Sequence, residues 1–206
     1  MVATQTPASH SGVATAPPPP VARPRVVMVG TAFAIAGCLT FFGGLIGIYL
    51  SLRSAAIANG ATWLPDKVIV PLQQPNVMLF ALISSSITIQ WAVDAIRRDD
   101  RAQAYLALGI TMLFGIAVIN MAAYLYTVMN FDLGIQAPTP ALVYTITGAH
   151  LLMLVVAIIF AGLMAFRALG GQYSSRQHDG VSAAAMFWHA QVVVFIFIWY
   201  AIYITK

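Results

Sequence analysis

His150 and His189 are the residues of this chain best equipped for chemistry, because each sits inside a long apolar stretch. Imidazoles on two membrane helices can clamp one haem iron, so a bis-histidine haem is the first chemistry to weigh. Cys38 is the only cysteine, which excludes an internal disulfide and any thiolate-based zinc or iron–sulfur centre. No nucleophile–base pair, phosphate loop or metal-spaced carboxylate cluster accompanies the histidines. These residue types make no active site of the chain's own.

The elements that carry them are five apolar runs, near residues 26–52, 77–96, 104–128, 139–167 and 181–204. Each is long enough for a helix to cross a hydrocarbon core of roughly 30 Å, which takes about 20 residues. The runs are continuous rather than alternating, which excludes a membrane barrel. An all-α, polytopic bundle of five transmembrane helices is expected. The composition agrees, since 60% hydrophobic and 8% charged residues cannot cover a soluble protein of 206 residues. Depth then argues against a shared haem. At about 1.5 Å per residue, His150 lies roughly 10 Å inside the outer boundary of its span. His189 lies roughly 10 Å inside the inner boundary of an oppositely directed span, so in a core of about 30 Å the rings differ by about 10 Å in height.

No span has a carboxylate in its middle; Asp94 falls about one turn from Arg97 and Arg98 at a membrane face. Gly43 and Gly47 have GxxxG spacing, read as ordinary close helix packing. Ser84 shares a helix face with Thr88, and Ser86 with Gln90. Asn120 reads as interhelical glue. Residues 1–25, with Pro17–Pro20 in a row, read as a disordered, Pro-rich tail. The tail lacks the basic start of a signal peptide. Trp63 is expected near the interface, in an outer loop over residues 53–76. The net charge of +4 speaks to topology rather than to nucleic acid. Arg23, Arg25, Arg97, Arg98, Arg101, Arg167 and Arg176 fall on the amino-terminal side, against Arg53, Lys67 and Lys206 on the other, which favours a cytoplasmic amino terminus and an outside carboxyl terminus.

Several segments carry a family resemblance. They are Gly30-Thr31 and Phe41-Phe42, then Ser84-Ser85 with Thr88, Trp91 and Ala92 before the Arg97–Asp100 loop. Tyr124, Thr147-Gly148 with His150, Trp188-His189 and Tyr200-Ala201-Ile202-Tyr203 follow in order. From Gly30 to Lys206 the chain resembles subunit III of the haem–copper oxidases, in the five-helix bacterial form of cytochrome c oxidase subunit III. The resemblance implies an accessory subunit without a cofactor of its own, in a bacterial cell membrane. Haem and copper would belong to subunits I and II, the implied partners, and membrane phospholipid would bind in a cleft. Residues 26–206 form the subunit III-like domain. His150, Trp188, His189, Asn120, Tyr124, Gly43 and Gly47 are the expected lipid or subunit-interface contacts.

The chain departs from the family at polar positions. Cys38 and Ala123 stand where members usually carry glutamates, and Asn120 stands for a glutamine. Val93 and Met153 replace histidines, and Val192 replaces an acid. A buried acid is costly unless paired, so the joint loss of the glutamates and the histidine at Met153 reads as removal of one network. What the resemblance implies for function is support of the catalytic subunit's stability and proton uptake in aerobic respiration, to which Asp94, Asp99 and Asp100 could add local charge. An accessory subunit of a nitric oxide reductase is the alternative. An independent transporter or channel ranks last, because intramembrane charge is scarce.

Overall fold

The computed structural model describes residues 25–64, 68, 70–129, 138–174 and 177–205. The expected tail, apart from Arg25, lies outside these residues. Five helices follow in order: α1 (Val26–Ala58), α2 (Gln73–Arg97), α3 (Arg101–Met129), α4 (Pro138–Leu169) and α5 (Asp179–Ile198). The last runs on into a π-helical turn, Trp199–Ile204. All five are long and apolar enough to cross a membrane, and the protein is an all-helical, multi-pass membrane protein.

Prolines fall where helices tolerate them. Pro75 is in the first turn of α2, and Pro138 and Pro140 open α4, where the missing N–H groups would have no helical acceptor. Three helices stop in the same way. Gly60, Asp99 and Gly171 take positive φ values of 71°, 57° and 73° just past α1, α2 and α4. At each, the next residue's N–H reaches back five residues: Ala61 to Ala56 O, Asp100 to Ala95 O and Gln172 to Arg167 O. This is the Schellman closure, which caps otherwise orphaned carbonyls. The α1 closure at Gly60 corrects one expectation: the outer loop begins at Asn59 rather than Arg53. Arg53 through Ala58 are mostly good helix formers and carry the helix on.

α2 and α3 pack as an antiparallel hairpin, α3 continues onto α4, and α5 touches α1, α2 and α4. α5 is therefore the axis of the bundle. Of its most apolar stretch 67% is buried, against 17% for α1. Trp188 sits on that axis, fully buried, with Nε1 donating to Ser85 Oγ at 2.9 Å on α2. Ser85 Oγ passes its own proton to Leu82 O at 2.7 Å, so the buried chain of donors is satisfied. The far edge of the indole lies over Gly115 of α3, where a Cβ would come within 2.8 Å of Cη2. Trp63 is buried against the bundle. Its Nε1 donates to Tyr49 Oη at 3.0 Å, and Thr139 Oγ1 donates to its carbonyl at 2.8 Å, which pins the loop to α1 and α4.

Candidate functional site

An apolar groove of about 500 Å³ lies between α1, α4 and α5. Thr31, Gly37, Cys38 and Phe41 line it from α1, Met153 and Phe160 from α4, and Phe187 from α5. The Thr31 hydroxyl is turned onto its own helix, donating to Val27 O at 2.8 Å. Cys38 and Met153 thus share one groove. At those two positions the resemblance anticipates an acid and a histidine, and here both lining groups are sulfur-bearing and weakly polar.

Behind Cys38 lies a residue the sequence reading passed over. Gln191 of α5 is fully buried and its Nε2 donates to Cys38 Sγ at 3.6 Å. An amide–thiol contact therefore stands next to the groove, one residue from Val192. Gln191 is the sole amide in its apolar run, and that isolation was the available signal. Its backbone carbonyl accepts from His150 Nε2 at 3.1 Å, so that ring nitrogen carries the proton. The His150 ring is held between Phe42 and Phe195, with centroids 6.2 and 5.3 Å away.

His189 belongs elsewhere. Its Nδ1 is hydrogen-bonded to Ser86 Oγ of α2, on the half-exposed side of α5. The two histidines thus have separate partners. Ser86 continues as a stripe with Gln90 and Asp94 along an open depression of about 630 Å³. Gln90 Nε2 donates to Asp94 Oδ1, and Arg97 Nη1 pairs with the same oxygen, both at 3.4 Å. At about half exposure such a pair contributes little to stability. Among the described residues no hydrogen bond joins Ser84 to this stripe; Thr88 bonds Thr111 of α3 at 2.7 Å.

The remaining expected contacts face outward. Gly43 lines a second groove of about 290 Å³ between α1 and α5, and nothing lies within 4 Å of a Cβ built on Gly43 or Gly47. Among the described residues nothing packs closely on the GxxxG face, where the sequence reading expected close helix packing. Asn120 and Tyr124 are exposed on α3, and no hydrogen bond joins Asn120 to another described residue. Asn120 is not glue between these five helices. Ala123 is exposed on that same surface, away from the groove of Cys38 and Met153. Cys38 and Met153 share a groove that Ala123 does not line, so these three positions are not brought together as one network in this chain. Among the described residues no three His, Cys, Asp or Glu side chains gather as a metal site.

The family model described as cytochrome c oxidase subunit III matches residues 24–206. A cytochrome c oxidase subunit 3 from Prototheca wickerhamii is 29% identical over 175 residues, covering 83% of this chain and 66% of that protein. One from Drosophila yakuba is 29% identical over 173 residues with the same coverage. One from Spodoptera frugiperda is 32% identical over 133 residues, covering 65% of this chain and 90% of that protein. The chain spans about two thirds of the length of the first two relatives. With the match running through all five helices and the groove they form, the chain belongs to the cytochrome c oxidase subunit III family.

Proposed function

We propose that this chain is an accessory subunit of a proton-pumping cytochrome c oxidase in a bacterial cell membrane. It carries no haem or copper of its own and packs against subunits I and II, which hold those centres. The carrying observation is the family match over 24–206, laid on a bundle whose outward faces still hold polar groups. Asn120 on α3 and the Ser86–Gln90–Asp94 stripe on α2 face outward at or near membrane depth. Hydrocarbon cannot satisfy such groups, whereas a neighbouring subunit can. The groove of Cys38 and Met153 is apolar and takes the acyl chain of a membrane phospholipid. The amino terminus is cytoplasmic and the carboxyl terminus outside, as the basic residues indicate.

Isolation of the tagged chain in mild detergent is the direct test. Co-purification of a copper-containing oxidase with its haem bands is the expected result. A nitric oxide reductase as the companion would reassign the complex, and isolation without any haem protein would sink the reading. Orientation is checked separately by a reporter fused after Lys206, which should be active only outside the cytoplasm. Support of proton uptake by Asp94, Asp99 and Asp100 is tested by neutralising all three; unchanged uptake rates would remove that role.

A further inference from the structure

A small cavity lies among α2, α3, α4, α5 and the π-helical turn. Its polar lining consists of Tyr126, Thr147, His150 and Tyr203; Met78 and Phe195 are among the apolar residues that complete it. The volume swept by the centre of a water-sized sphere is about 10 Å³, which is about one water.

The hydrogen-bond inventory around it is unbalanced in a specific way. Tyr203 is 1% exposed, and no hydrogen bond joins its hydroxyl to another described residue. Its hydroxyl is therefore a donor without an acceptor among the described residues. Tyr126 Oη donates to Thr147 Oγ1 at 2.7 Å, and Thr147 Oγ1 donates to Val143 O at 2.6 Å. The Tyr126 oxygen thus spends its proton and keeps acceptor lone pairs. His150 Nε2 donates to the Gln191 carbonyl, which leaves Nδ1 of the neutral ring as an acceptor. One donor lacks an acceptor, and two acceptors lack a donor. A water molecule accepts one such bond and donates two. Dry cavities of this size are apolar, and this one is not.

We infer that the cavity enclosed by Tyr126, Thr147, His150 and Tyr203 is a binding site for a single water molecule. The water accepts from Tyr203 and donates to Tyr126 and His150, joining the π-helical turn to α3 and α4. Such a bridge replaces direct side-chain contact where the helices stand too far apart to bond.

A density map of the assembled complex, at a resolution that shows buried waters elsewhere, tests this directly. A single peak within hydrogen-bond distance of Tyr203 Oη and Tyr126 Oη is expected. An empty cavity, a lipid atom in its place, or a Tyr203 hydroxyl bonded directly to protein would overturn the assignment. The variants Tyr203→Phe and Tyr126→Phe supply a second measurement. Because one water couples them, the double variant should lower the unfolding midpoint of the complex by less than the sum of the single shifts. Additive shifts would show that no shared water links the two rings.

Discussion

A methyl group added at Gly115 would sit 2.8 Å from Trp188 Cη2 and 3.0 Å from Ile158 Cδ1, both carried by neighbouring helices. Gly115→Ala should therefore overpack the centre of the bundle at a cost of about 1–3 kcal/mol, read as a lowered unfolding midpoint of the purified complex. Cys38 makes a complementary case. Cys38→Glu would place a carboxylate beside Gln191 and an apolar groove that offers Met153 instead of a histidine. It should reduce the amount of assembled complex in the membrane, and adding Met153→His should restore part of it. In the connection after α4, burial pushes the Tyr173 phenol above its usual range, while the Arg167 guanidinium 5.9 Å over its ring pulls the other way. A raised phenol contributes stability that is full below about pH 10 and lost as the pH climbs through its folded value. Neutral pH leaves it untouched; an alkaline absorbance titration should show Tyr173 ionising late, a lag that Tyr173→Phe removes. The histidines stood out in the sequence because they interrupt apolar runs, and Trp188 through the family resemblance. Gly115 did not, since a glycine among apolar residues carries no sign of what will lie over it.

Helix ends, rather than helix centres, separate what the sequence disclosed from what it hid. Hydropathy located all five spans, because crossing hydrocarbon fixes length and composition together. It could not see that α1 would run to Ala58, because helix propensity continues after the apolar stretch has ended. The π-helical turn at Trp199–Ile204 was equally hidden, since a shift of the backbone bonding by one residue leaves the pattern of side-chain types unchanged. The α2–α3 turn is the tightest of the described connections. Asp99 closes α2 in the left-handed region, and Asp100 Oδ1 accepts the Gln103 N–H at 3.1 Å to open α3. Asp100→Ala should cost about 1 kcal/mol through the lost cap, measurable as faster proteolysis between α2 and α3. Asp100→Asn should be nearly silent, because its side-chain carbonyl keeps the bond.

At the scale of the whole molecule, the bundle is arranged around its last helix. The outward placement of Gly43, Gly47, Asn120 and Tyr124 was not legible from sequence, because spacing tells which residues share a face but not which way that face turns. The innermost position of α5 was hidden for a similar reason: all five runs are apolar all round, and only packing distinguishes a central helix from a peripheral one. That position bears on how the protein is made. The first four spans emerge from the ribosome before α5, and until it arrives α1 lacks its most extensive helix contact and has a slighter one with α4 and the Trp63 tether to hold it. Trp188, Gln191 and Phe195, the side chains that bind the bundle together, are all still missing from the nascent chain at that stage. A chain stopped at His178 should insert its four helices but leave α1 free to drift in the bilayer, and a membrane protease should clear it faster than the full chain. The bundle can thus close only after the final helix has entered, which makes its insertion the step that completes the fold.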